Sequence, residues 1–236
     1  MTTWDAADPR FYPIVTVGCR LGDLRNDVLF LGGSVVPFLL TDPAAAGPRP
    51  TKDVDLAIEI TTRVEYHKLG ASLRRLGFEE DDEPGAPICR WCIEKLKVDI
   101  MPTEGSVLGY TSTWFRAAMA AAPVLTFSDG QRLRVISAPY FCATKLEAFH
   151  DRGKGDYIAS PDLEDIVTVI DGRVELLTEL RTADPIVRDY VASTFRMHLA
   201  DPDFIDALPG HLPGDDASQR RLPLLLDHLR QIAGMS

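Results

Sequence analysis

Apolar residues change their spacing part-way along the chain, and the change predicts two kinds of architecture. Residues 28–31 form a short unbroken apolar run that stops at Gly32-Gly33, the pattern of a strand entering a turn. Residues 34–40 follow as a short helix, with Pro37 tolerated in its first turn. Residues 41–50, rich in Pro, Ala and Gly, read as a loop. Val54, Leu56 and Ile58 alternate with other residues and predict a strand over 53–60. Leu69, Leu73 and Leu76 recur at helical spacing and predict an amphipathic helix over 63–76, ended by Gly77. An acidic loop over 79–87 precedes two strands, 88–93 and 96–101, joined by a tight turn at Glu94-Lys95. Residues 132–136 predict one more strand. Strands alternating with helices, with at least one hairpin, imply an α/β (α+β) domain whose mixed sheet is flanked by helices.

Beyond Pro139 the period becomes helical. Helices are expected over 140–150, 161–170, 173–181, 185–200 and 221–233, with Leu163, Ile166, Val167 and Ile170 forming one stripe. Residues 202–218 read as a loop. The expected organisation is therefore a core over 1–138 and a C-terminal helical region over 139–236, with no internal repeat.

Composition narrows the partners. At 236 residues and 45% hydrophobic, the chain can bury one large core or two small ones. No apolar run approaches the roughly 20 residues that span a bilayer. Residues 1–10 carry two aspartates and no apolar segment of the secretory kind, so the expectation is a cytoplasmic protein without a membrane partner. The net charge of −10 requires any contact with nucleic acid to be local. Cys19, Cys89, Cys92 and Cys142 suggest neither a disulfide framework nor a ligand pattern. Cys89-Arg90-Trp91-Cys92 invites a zinc or redox reading, but residues three apart on a strand face opposite sides, which spoils chelation.

The candidate chemistry lies in acids on strands. Asp53 and Asp55 are two apart on one predicted strand and so share a face, with Val54 and Leu56 behind them. Asp99 sits in Lys97-Val98-Asp99-Ile100, again pointing away from the apolar side. If the strands are neighbours, three carboxylates converge and call for a cation. Mg²⁺, with Mn²⁺ as the alternative, suits oxygen ligands and leaves room for waters and substrate phosphates; two such ions would activate an attacking hydroxyl and hold a leaving pyrophosphate. Gly32-Gly33-Ser34 adds backbone N–H groups and a hydroxyl for an anion such as a nucleoside triphosphate. The bland reading is a solvated strand face and an ordinary glycine turn.

Leu31-Gly32-Gly33-Ser34, Lys52-Asp53-Val54-Asp55 and Val98-Asp99-Ile100 together resemble the DNA polymerase β-like nucleotidyltransferase superfamily. Three further segments look like its AbiEii/AbiGii-type branch, whose members include toxins of type IV toxin–antitoxin systems. These are Thr144-Lys145-Leu146-Glu147-Ala148-Phe149, Arg152-Gly153-Lys154 and Asp162-Leu163-Glu164-Asp165-Ile166. The resemblance covers residues 28–170. It implies metal binding by Asp53 and Asp55, a triphosphate contact from Lys145, and a further nucleotide-site acid from Asp162 or Asp165. Asp99 would hold a second ion and help deprotonate the acceptor. In that family the stretch between Ser34 and Asp53 is usually shorter.

Bland alternatives stand beside these roles. A lysine near a helix start opposes the helix dipole, so Lys145 is explained by an anionic ligand or as an exposed surface residue. Ser160-Pro161-Asp162 also suits a helix start with Ser160 as cap, and Asp165 then pairs with Arg152 or Lys154. Arg132, Arg134, Lys145, Arg152 and Lys154 form either a basic patch facing RNA or a set of unrelated solvated charges. The expected activity is transfer of an NMP group from an NTP to an acceptor hydroxyl, with RNA or a tRNA end as acceptor and a cognate antitoxin as partner. The alternatives are a small-molecule, antibiotic-type nucleotidyltransferase, a non-catalytic nucleotide-binding partner of the antitoxin kind, and a phosphohydrolase using the same acids.

Overall fold

The computed structural model describes residues 3–51, 53–153 and 155–235. Lys52 and Lys154, both part of the motifs above, lie outside the described residues. The chain divides into two units, Met1–Val35 with Pro50–Ser137 and Val36–Arg49 with Ala138–Ser236. The first unit opens with β1 (Thr3–Trp4), α1 (Tyr12–Leu21) and β2 (Val28–Leu31). α2 (Val36–Leu39) belongs to the second unit. The first resumes with β3 (Asp53–Ile58), α3 (Arg63–Arg75), β4 (Glu79–Glu80), β5 (Arg90–Ile93) and β6 (Leu96–Pro102), then α4 (Gly105–Leu108), α5 (Phe115–Ala121), β7 (Val124–Phe127) and β8 (Arg132–Arg134). The second continues through α6 (Ala138–Arg152), α7 (Pro161–Gly172), α8 (Leu176–Thr182), α9 (Pro185–Leu199), α10 (Pro202–Ala207), α11 (Asp216–Gln219) and α12 (Leu222–Ala233).

The first unit is built on a five-stranded sheet in the order β2-β3-β6-β5-β4. β3 and β6 run parallel and the other neighbours antiparallel, so the sheet is mixed. A parallel pair needs a long crossover, and α3 provides part of it. Thr62 starts that helix with a capping box: its hydroxyl accepts from Glu65 N (3.2 Å) while Glu65 Oε2 accepts from Thr62 N (3.1 Å). Val54, Leu56, Val98 and Ile100 are wholly buried on one face of the sheet, as their alternation requires. The β5–β6 hairpin turns at Glu94, whose φ is +56°.

Several elements differ from the expectations. The strand foreseen over 132–136 joins a separate three-stranded sheet, β1-β7-β8, touching the larger one through a Phe30–Val135 bridge. The acidic loop over 79–87 begins as an edge strand, Glu79 and Glu80 pairing with Cys92 and Trp91. The helix expected from 173 starts at Leu176, because Arg173 caps the end of α7. The loop expected over 202–218 contains α10 and α11: Asp201 accepts from Asp203 N (3.1 Å) with Pro202 in the first turn, and Phe204 and Ala207 are buried. Those are helix-start signals that the Pro, Gly and Asp content of the segment masks.

In the second unit α2 and residues 40–49 join the helices. Thr41 N and Asp42 N donate to Gly172 O (2.8 and 2.9 Å), and Arg221 Nη2 pairs with Asp42 (2.7 Å). Among the described residues no helix is long and apolar enough to cross a membrane.

Candidate active site

Cross-strand neighbours in register point to the same face of a sheet, and the register places the acids in two rows. One row runs from Leu31 through Asp55 and Asp99 to Arg90. Asp81 extends it past the end of β4, its N–H donating to Arg90 O at 3.2 Å. The adjacent row runs Asp53, Lys97, Cys92, Glu79. Asp53, Asp55 and Asp99 therefore share the solvent-side face, with Asp55 and Asp99 directly opposed.

The antiparallel pairing of β2 with β3 brings the glycine turn to the aspartates. Gly32 has φ +74°, and a Cβ built on it would overlap the Asp55 carboxylate. Only glycine satisfies both conditions. Gly33, Ser34 and Val35 form a buried turn. The Ser34 hydroxyl is buried and has no hydrogen-bond partner among the described residues, an arrangement that costs about 1–3 kcal/mol unless a ligand or water meets it.

Asp99 is engaged by Arg90 in a two-pronged ion pair, Nε to Oδ1 at 2.7 Å and Nη2 to Oδ2 at 2.8 Å. The hydrogen bonds to Asp99 hold the Arg90 guanidinium well above its ordinary pKa against burial, and the charges of Asp99, Asp53 and Asp81 add to the effect. Among the described residues no three His, Cys, Asp or Glu side chains are gathered closely enough to hold a metal ion. The row nevertheless offers only oxygen donors, the kind that hard dications bind.

The second unit carries its own charged cluster. Lys145 lies in the middle of α6 and is buried, rather than near a helix start or on the surface. Its Nζ donates to Asp162 Oδ1 (2.9 Å) and Asp165 Oδ2 (2.7 Å) on α7. Arg152 Nε and Nη2 each donate to Asp162 at 2.9 Å, and Arg49 Nε donates to Asp165 at 2.9 Å. Asp165 thus finds its guanidinium in the 41–50 segment rather than in Arg152. Ser160 caps α7, accepting from Leu163 N at 3.3 Å. Burial pushes the Lys145 pKa down, but Asp165 and Asp162 outweigh it and hold the ammonium above its ordinary value. Burial likewise raises Asp162, but Arg152 and Lys145 more than offset this and hold it low.

No family model matches the chain, and no curated protein matches it in sequence. Solved structures do match. An antigenic nucleotidyltransferase-like protein from Paracoccidioides brasiliensis superposes with TM-score 0.50 at 20% identity, over 87% of this chain and 94% of that one. The fold is nucleotidyltransferase-like. The antibiotic-resistance factor ANT(2'')-Ia matches with TM-score 0.45 at 17% identity, over 81% of this chain and 93% of that one. JHP933 from Helicobacter pylori matches with TM-score 0.46 at 12% identity, over 98% and 94%.

The residues considered as one basic patch fall in different units. Arg132 and Arg134 belong to the first unit and Lys145 and Arg152 to the second. Arg134 Nη2 donates to Asn26 O (2.6 Å), and the buried Lys145 presents no charge to a surface ligand. All four cysteines are free, Cys89 buried and Cys92 half-buried. A cavity of about 680 Å³ opens beside α3, lined among others by Tyr66, Asp81, Arg90 and Trp91. Two residues of these clusters carry no local sequence signal of their role. Arg49 sat in a loop of Pro, Ala and Gly with its partner 116 positions away. Arg90 lies between two cysteines in the sequence, and counting back from the Glu94-Lys95 turn sets it opposite Asp99.

Proposed function

We propose that the chain is a divalent-cation-dependent nucleotidyltransferase that moves an NMP group from an NTP to an acceptor hydroxyl, with pyrophosphate leaving. The reading rests on Gly32 lying against the Asp55 carboxylate. That approach leaves no space for a side chain, so an anion-receiving turn and an acidic strand are built as one device. The donor set fits the cation in kind: Asp53 and Asp55, with Asp99 as third carboxylate, are hard oxygen ligands on one face. Mg²⁺, with Mn²⁺ as the alternative, would neutralise triphosphate charge there.

The chain's own groups do the rest. The backbone of Gly32 and Gly33 and the unpartnered Ser34 hydroxyl receive triphosphate oxygens. Asp99 accepts the proton of the acceptor hydroxyl as its oxygen attacks the α-phosphorus and the bond to pyrophosphate breaks. In the second unit we assign the nucleotide-binding role of Lys145, Asp162 and Asp165 to the cluster they form. Lys145 fixes the two carboxylates, and Arg152, whose side chain is 71% exposed, is the cluster's outer cation. The acceptor we favour is an RNA 3′ hydroxyl, a tRNA end included, as the toxin-like AbiEii/AbiGii branch that the sequence resembles implies. A cognate antitoxin would then be the partner. The net charge of −10 limits the RNA footprint to a local contact.

The test incubates the protein with each α-labelled NTP, Mg²⁺ and bulk RNA, or a hydroxylated aminosugar in place of RNA, and follows labelled acceptor and pyrophosphate. Wild type labels RNA, and Asp55→Asn loses about a thousandfold while melting as wild type does. Undiminished labelling by Asp55→Asn would falsify the mechanism. Transfer to the aminosugar alone changes the acceptor class. Free phosphate without a labelled acceptor makes the protein a phosphohydrolase, and nucleotide binding without turnover makes it a non-catalytic partner.

A further inference from the structure

One side chain stands between the third carboxylate and its proposed use. Arg90 takes both oxygens of Asp99, and the two side chains are only 20% and 15% exposed. A pair this enclosed is not the weakly held, screened kind found on open surfaces. A cation approaching Asp99 competes with a guanidinium already in place, and a displaced Arg90 would be a partly buried charge without a partner, which is costly.

The same row holds a second partner. Asp81 is the next residue across from Arg90, its backbone N–H bonded to Arg90 O at 3.2 Å. Its side chain is 4% exposed, with Lys97 Nζ 3.5 Å away. That lysine is ion-paired with the buried Oδ2, which otherwise has no hydrogen-bond partner among the described residues, while Oδ1 accepts from Glu83 N at 3.1 Å. Both Asp81 and Arg90 line the 680 Å³ cavity, so the guanidinium has space in which to turn.

We propose that Arg90 is a positioning residue that controls access to Asp99, able to exchange its pairing with Asp99 for one with Asp81 so that the third carboxylate is open to a divalent cation. The row Asp55–Asp99–Arg90–Asp81 then works as a relay of one positive charge between two acids. Assembly of the full cation site is coupled to a rotamer change one strand away. This rests on the reading of Asp53, Asp55 and Asp99 as cation ligands.

The test titrates Mn²⁺ into the full-length protein and follows free Mn²⁺ by electron paramagnetic resonance, without nucleotide and without turnover. Arg90→Met removes the competitor and tightens Mn²⁺ binding, about tenfold on the scale of changes to groups that hold metal ligands. Asp81→Asn removes the alternative partner and weakens binding by a similar factor. Adding Asp99→Asn to Arg90→Met abolishes the gain. Should Arg90→Met not fold, Arg90→Lys keeps the charge without the two-pronged grip, and a smaller gain of the same sign is expected. Unchanged or weaker binding in a folded Arg90 variant overturns the proposal, as does an Asp81→Asn affinity equal to wild type. Asp55→Asn separates the two levels. If it leaves Mn²⁺ binding intact, the cation site itself has been misread. If it abolishes binding while the Arg90 and Asp81 variants change nothing, the relay alone fails.

Discussion

The two units handle charge in opposite ways. In the second, Lys145 is enclosed by Asp162 and Asp165, and Arg49 and Arg152 close the outer sides, so each buried acid meets two cations. In the first, Asp53, Asp55, Asp99 and Asp81 share one face with, among the described residues of these rows, Arg90 and Lys97 as the cations. A self-neutralised cluster is what a protein needs to bury ions safely. A row with acid in excess is what it needs to attract a cation from outside. The same residue types thus form a neutralised cluster in one place and an acid-rich row in the other, and the local balance of charge distinguishes them.

The sharpest way to break this contrast is to unbalance the cluster. Lys145→Met leaves two buried carboxylates short of a cation and should destabilise the protein by about 3–5 kcal/mol in denaturant unfolding. A loss below about 1 kcal/mol would show that the cluster behaves as a surface network. Acid should act next. His198 is buried among Phe149, Tyr157, Phe195 and Phe204. Burial and the neighbouring His150 lower its pKa from 6.5 to about 4. The unfolded chain therefore binds this proton below pH 6.5 and the folded one only below about 4. Stability is fully present above 6.5, falls as pH drops through that window and levels below it, a loss of up to about 3 kcal/mol. His198→Gln should flatten the slope, and a slope that persists in that variant would place its origin elsewhere.

The first unit should respond in function more than in stability. Gly32→Ala meets the Asp55 carboxylate and a positive φ, for about 1–3 kcal/mol of strain, and should abolish transfer. Full transfer in a folded Gly32→Ala protein would detach the turn from the site. The smallest effect is expected of Ser34→Ala. Its hydroxyl makes no hydrogen bond among the described residues, so its removal should be neutral or stabilise by about 1 kcal/mol while the KM for NTP rises. A clear loss of stability would show that the hydroxyl serves the fold.

How much of this was legible follows from the range of the interactions. The alternation in β3 and β6 and the apolar run before Gly32 are local signals, and they were enough to set three acids on one face beside a glycine turn. Asp99's partner was legible in principle, because a two-residue turn fixes every pair in the β5–β6 hairpin. Lys145 was not. Its burial depends on α7 supplying Asp162 and Asp165, and no periodicity along α6 announces that. Arg49 was harder still, since a loop residue owes its position to contacts far away in sequence. The helices in 202–218 were hidden for another reason: Pro and Asp mark turns and helix starts alike, and only the burial of Phe204 and Ala207 separates the two.

The excursion of residues 36–49 has a consequence for heredity as much as for structure. The glycine turn ends at Val35 and the aspartate strand begins at Asp53, yet the intervening Val36, Phe38 and Leu39 are buried within the other unit. No single cut in the gene releases either unit whole: a fragment stopping at Ser137 strands those apolar side chains, and one starting at Ala138 lacks them. The two halves are interleaved in the chain, so neither can be shuffled, fused or lost without the other.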